Sequence, residues 1–260
     1  MQDKALLYLR DWFHQYVQGF YSTDEQLQFH VRLKEEHTLR VIEQARFIAK
    51  RLSCSPEQLV LAEIAALLHD IGRFKQYQTY RTFNDALSIN HAELGRDILE
   101  QLDILNGAGL STKHQEIVKK AVLYHNRRYL PLNIGEEDCL FAKIIRDADK
   151  LDIFSMLVTG DQENKIPHSP ELKRADQYSL HIIEDILQGR LVKRDEITTS
   201  SDLMLFRLSW IFDINFACSF LHILEQHYIE KLITTLPDTD DIKNVYQYIK
   251  QYAEQHTPTY

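Results

Sequence analysis

Apolar residues recur at intervals of three and four along nearly the whole chain, while two-residue alternation bounded by turn residues is hard to find. The pattern predicts an all-α protein. A first helix is expected over about 4–20, with Leu9, Trp12, Phe13, Tyr16, Val17 and Phe20 on one face. The next, over about 24–52, puts His37, Val41, Ala45, Ile48 and Leu52 on a single stripe. Ser55, Pro56 and Gln58 then form a helix start: a capping serine, a proline in the first turn and a glutamine that reaches back. The helix they open should run from 56 to about 70, and being apolar on almost every side it should be the central one. Residues 71–87, IGRFKQYQTYRTFNDAL, mix basic, aromatic and polar types without a clean period, which predicts a loop or short lid. Further helices are expected at about 88–103, 112–126, 137–158, 178–188, 201–235 (broken) and 239–255. The polar segment 160–177, which carries Pro167 and Pro170, is the best internal boundary. It divides the chain into 1–160 and a helical extension, 161–260, expected to pack on the first part as one structural unit.

With 260 residues, 44% of them hydrophobic, the chain can bury a large core. A net charge of −8 argues against a nucleic-acid polymer or an anionic membrane as partner, but not against a small anionic substrate, which responds to local charge. Cys54, Cys139 and Cys218 are scattered, which suggests neither a disulfide framework nor a cysteine zinc site. The N-terminal stretch is charged throughout, unlike a signal peptide, and the longest apolar run, from Leu203, is interrupted by Arg207 and Asp213. A cytoplasmic protein is expected. That run should complete the core, with a homodimer surface as its alternative use.

Twelve histidines are more than a chain of this length needs, so their positions matter. The stretch AALLHDIGRF ends the most apolar helix in adjacent ionisable residues, His69 and Asp70. His37 faces the core with Val41 and Ala45; His91 shares a stripe with Leu94 and Ile98; His125 with Val118, Ala121 and Val122; Asp149 falls in line with Ala142 and Ile145. Five helices thus direct a His or Asp inward. One such residue is commonly a core histidine bonded to a carbonyl, but six together would each need a buried partner of their own. Divalent cations offer a shared partner, since they take imidazole nitrogen and carboxylate oxygen together. His37, His69, Asp70 and Asp149 suffice for one ion, and His91 and His125, with Asp70 bridging, for a second at about 3.5–4 Å, the spacing of two-metal hydrolysis. Mn, Fe, Co, Ni, Zn and Mg are not distinguished by this set.

The ordered residues His37, His69-Asp70 and Asp149 within RDADKLDIF resemble the HD-domain superfamily over about 30–155. NHAELGRDIL around His91 and YHNRR around His125 are similar to the extra histidine motifs of its two-metal members. The resemblance implies an all-α fold, a metal centre and hydrolysis of a phosphate ester. It makes the second aspartate of D-x-D-K, Asp149, the ligand, and gives Asp147 a supporting role. The loop NRRYLPLNIG after His125 lacks the run found in cyclic-dinucleotide phosphodiesterases, and IGRF lacks the acidic pair of alarmone hydrolases. A closer likeness is to bacterial HD hydrolases with HDIGRF followed by TFxDAxSxxHAELG.

The expected reaction is attack on phosphorus by a hydroxide available at neutral pH because the metals lower the pKa of a bound water from 15.7 towards ~7. Asp70 serves as ligand and catalytic group, and Arg73 and Lys150 are the candidate cations for the phosphate. Arg127 and Arg128 are weaker candidates. Lys75, Arg81, Tyr77, Tyr80 and Phe83 could form a substrate-facing lid, and His30 fits core packing better than a cavity wall. A small phosphate ester, such as a nucleotide, is the expected substrate. Two alternatives stand beside it: a di-iron oxygenase, as inositol oxygenase is, and a nucleotide-binding regulatory protein that keeps the metal.

Overall fold

In the computed structural model, which describes residues 2–159 and 177–257, every regular element is helical and there is no strand among the described residues. Packing divides the chain into two units, Met1–Asp149 and Lys150–Tyr260. The first holds α1 (Gln2–Gln18), α2 (Glu25–Arg51), α3 (Pro56–Leu68), α4 (Ile71–Tyr80), α5 (His91–Gln101), the single turn α6 (Ile104–Gly107), α7 (Thr112–Tyr124) and most of α8 (Glu136–Thr159). The expected boundary, 160–177, lies outside the described residues except for Gln177.

Helix α3 is central, as its all-round apolarity requires. Every residue from Leu61 to Leu68 is buried, and α1, α2 and α7 pack against it. It starts in the capping box read from the sequence: Ser55 accepts from the Gln58 backbone, and the Gln58 side chain accepts from the Ser55 N–H. It stops at Leu68, two residues earlier than expected, which leaves His69 and Asp70 in the break before α4.

The segment expected to be a loop is, over Ile71–Tyr80, the helix α4. Ile71, Phe74 and Tyr77 bury one face at three-residue spacing, and Phe74 packs edge-on to Phe13. The period is masked because Gly72 and Gln76 are buried as well, for other reasons. Gly72 lies where α4 crosses α5: a Cβ there would sit 2.2 Å from the His91 carbonyl oxygen and 2.8 Å from the Gly95 nitrogen. Only glycine allows this backbone approach. It brings the start of α5, and with it His91, against the start of α4.

The second unit holds the end of α8 with α9 (Leu180–Leu187), α10 (Ser200–Ser209), α11 (Ala217–Glu225), α12 (Tyr228–Ile233) and α13 (Asp240–Gln255). The expected broken helix over 201–235 is α10, a 3-10 turn, α11 and α12 in succession. Helix α13 packs on α9, α11 and α12 through a stripe of Ile242, Val245, Ile249 and Ala253. No helix among the described residues is long and apolar enough to cross a membrane.

Candidate metal centre

Helix ends supply most of the site. His69 and His125 are the C-terminal caps of α3 and α7, Asp70 precedes α4, and His91 opens α5. His37 and Asp149 project from within α2 and α8. Asp70 occupies an N-cap position, yet its carboxylate makes no cap bond to α4 and turns inward instead. All six expected residues converge, and the four histidines and Asp70 are almost completely buried.

Asp70 stands at the centre. Its Oδ2 is 3.7 Å from the Nε2 of both His37 and His69, and its Oδ1 is 3.3 Å from His91 Nε2 and 3.6 Å from His125 Nε2. Each oxygen thus faces one pair of imidazoles. The arrangement defines two groups, His37–His69–Asp70 and Asp70–His91–His125, in each of which the donor atoms lie within 4.8 Å of one another. Asp149 joins the first, its Oδ1 3.1 Å from His37 Nε2 and 4.0 Å from His69 Nε2.

The tautomers point the same way. His69 Nδ1 donates to the Ala66 carbonyl at 2.7 Å, so its Nε2 carries the lone pair, and that buried atom has no hydrogen-bond partner. His125 Nδ1 donates to the Val122 carbonyl at 2.6 Å, and His91 Nδ1 to Asp85 at 2.7 Å. Their two Nε2 atoms then face each other across 2.9 Å. Two lone pairs that close repel unless a proton or a cation lies with them. Carbonyl or carboxylate on Nδ1 with Nε2 bare is the arrangement of metal-bound histidine. The residues therefore fit divalent cations, and these groups could hold metal.

Burial disfavours imidazolium and holds His69 down at about 4 and His91 at about 3. Burial also opposes the ionised form of Asp70, but the Lys34 ammonium leads the groups that outweigh it, and the carboxyl stays well below its ordinary range. Asp149 and Asp85 likewise remain ionised against the cost of burial, held there first by His37 and by His91 respectively.

The two expected phosphate cations are otherwise engaged. Lys150 forms an ion pair with Asp213 at 2.7 Å, within the second unit, so the ammonium expected to meet a phosphate already has a carboxylate partner. Arg73 does adjoin the cluster, its Nε 3.4 Å from Asp70 Oδ1, but its Nη1 donates to Gln76, to the Phe83 carbonyl and to Asp85. It braces α4 to the following turn. Asp147 is fully buried on α8. Arg127 and Arg128 lie over the rings of Tyr124 and Tyr129. Of the expected lid, Tyr77 is buried and stacks on His30 at 4.1 Å, Arg81 pairs with Asp24 at 2.8 Å, and Lys75 and Tyr80 are exposed.

Three supporting residues escape sequence reasoning. Lys34 Nζ donates to Asp70 Oδ2 at 2.7 Å; its place one turn before His37 was the available signal. Asp85 accepts from His91, Gln76 and Arg73, and from Asn126 Nδ2 at 3.2 Å. Arg146, one turn before Asp149 on α8, donates to the carbonyls of Tyr124, His125, Arg127 and Arg128, which secures the end of α7 that carries His125. Partners so far apart in sequence leave no periodic trace.

Residues 35–153 match the family described as the HD domain, which is consistent with the HD-domain superfamily. The match begins two residues before His37 and ends four after Asp149, so it encloses the whole cluster. No curated protein and no solved structure matches the chain significantly.

Proposed function

We propose that the chain is a metal-dependent phosphohydrolase acting on a small phosphate ester, such as a nucleotide, through two divalent cations held by His37, His69, Asp70 and Asp149 and by Asp70, His91 and His125. One observation carries this reading: the two oxygens of Asp70 are divided between two imidazole pairs, as a carboxylate shared by two metal positions requires. Cations bound there would supply a coordinated water of lowered pKa, from 15.7 towards ~7, and positive charge beside the phosphoryl oxygens. The chain's own contribution is preorganisation. Ala66 and Val122 carbonyls and the Asp85 carboxylate hold Nδ1 of His69, His125 and His91, so that these three rings present Nε2 without having to rotate on binding. Burial keeps bulk water away from the donor atoms and strengthens every charge interaction among them.

The protein loaded with Mn, Co, Ni or Fe should release phosphate or an alcohol from members of a panel of phosphomonoesters and phosphodiesters. His69→Ala and Asp70→Ala should each lower that turnover by more than about 100-fold. Turnover that both variants retain at the wild-type rate would refute the assignment. Oxygen uptake by the reduced iron form, with no ester cleaved, would move the chain to the oxygenases of the superfamily.

A further inference from the structure

We propose that Lys34 is the substrate-facing cation of this site and contacts a non-bridging phosphoryl oxygen; the proposal rests on the phosphohydrolase reading above. A phosphate ester brought to two cations still has oxygens turned away from them, and a positioned hydrogen-bond donor stabilises the charge that builds there. The cations nominated from the sequence are spent elsewhere, Lys150 on Asp213 and the Nη1 of Arg73 on Asp85 and the Phe83 carbonyl. Lys34 is placed differently. It lies three residues before His37 on α2, and so on the same face of that helix. Its Nζ is 2.7 Å from Asp70 Oδ2, the oxygen turned to His37 and His69, and 5.5 Å from the centre of the Phe83 ring.

Its side chain is 17% exposed where that of Asp70 is 3%, so Lys34 reaches the buried carboxylate from nearer the surface. Among the described residues its ammonium makes one hydrogen bond, to Asp70, which leaves donors for a further acceptor. A simple counter-ion role for Lys34 would duplicate what bound cations already do for Asp70. Once they neutralise that carboxylate, the ammonium is a positive charge at the rim without a full anionic partner, which is what an incoming phosphoryl group meets.

The test uses the full-length protein loaded with Mn, inorganic phosphate as the probe, and the variants Lys34→Met and Lys34→Arg. Circular dichroism and metal content are measured alongside. Lys34→Met should keep the metal stoichiometry of the wild type, bind phosphate at least about 10-fold more weakly and lose roughly 30- to 100-fold in kcat/KM, and Lys34→Arg should recover part of both. Phosphate affinity and kcat/KM at the wild-type level in Lys34→Met would overturn the proposal. So would a loss of bound metal that accounts for the whole effect, because Lys34 would then serve Asp70 alone. The two readings fail differently. A wild type that cleaves esters beside an unaffected Lys34→Met removes only the Lys34 assignment, whereas a wild type that neither binds phosphate nor cleaves any ester removes both.

Discussion

The two halves of the candidate metal centre share Asp70 and bury their histidines alike, though Asp149 in the first is partly exposed, and they are held in place by different means. The half formed by His37, His69 and Asp149 is fastened directly to helices: two of its side chains project from within α2 and α8, and His69 is locked by the carbonyl of Ala66 in its own chain turn. The half formed by His91 and His125 depends on relays. His125 is locked by the Val122 carbonyl as His69 is by that of Ala66, but the chain around it is gathered by Arg146, and His91 is oriented by Asp85, itself held by Gln76, Arg73 and Asn126. A ligand set on helix bodies inherits their rigidity, whereas one on helix ends needs side chains recruited to fix it. The second half should therefore be the one that mutation can dissect away.

The largest effect is expected where α4 meets α5, because that crossing carries the second half as a whole. Gly72→Ala would place a Cβ against the backbone of His91, which cannot yield as a side-chain tip would. A loss of about 3 kcal/mol in urea denaturation is expected, towards the upper end of the range for overpacked positions. Gly95→Ala is the control, since its Cβ would meet the side chains of Val122 and Ile71 at 3.2 and 3.3 Å and the Gly72 nitrogen only at an ordinary contact distance of 3.5 Å, and should cost clearly less. Equal losses in the two variants would mean that the crossing does not depend on the close approach at Gly72.

Next comes the relay. Asp85→Ala removes the acceptor of His91 Nδ1 and leaves the ring free to turn or to change tautomer. The second metal position should weaken about 10- to 100-fold while the first is unchanged. Titration with Co(II), followed by its visible absorption, should pass from two binding phases to one within the working concentration range. If both phases weaken together, the halves are not separable and the distinction between them is wrong.

Which half the sequence reveals follows from the same difference. His37, His91 and Asp149 could be read from helical spacing, because each sits in register with buried apolar residues of its own helix, such as Val41 or Ile98. The doublet His69-Asp70 stood out because nothing in an apolar run explains it. The relays were illegible: Asp85 lies in a 3-10 turn with no period, and its partner Asn126 is 41 residues away. Helix α4 was hidden because Gly72 and Gln76 are buried for a backbone crossing and a polar network, not for apolar packing. Likewise, nothing in the D-x-D-K run could say that Lys150 would meet Asp213.

The smallest effect asks whether the halves, so unlike in support, are alike in desolvation. Burial holds His69 near 4 and His91 near 3, whereas an unfolded histidine titrates near 6.5. Above about pH 6.5 neither state binds the proton, and stability should not respond. As the pH falls below that value the unfolded chain takes up protons that the folded chain refuses, so stability must fall. Each histidine contributes up to about 1.4 kcal/mol per pH unit. The fall from His69 should level off near pH 4 and that from His91 near pH 3, where the folded protein binds the proton too. Ionised Asp70, Asp85 and Asp149 add a further loss once the pH approaches the ordinary carboxylate range, which overlaps only the lower end of the window in which the histidines act. Urea midpoints of chelator-treated protein between pH 8 and 4 measure the slope, and His69→Gln and His91→Gln should each flatten it by a similar amount. A slope that only His69→Gln reduces would mean that the carboxylate behind His91 restores its affinity for the proton. The second half would then differ from the first in electrostatics as well as in the way it is held.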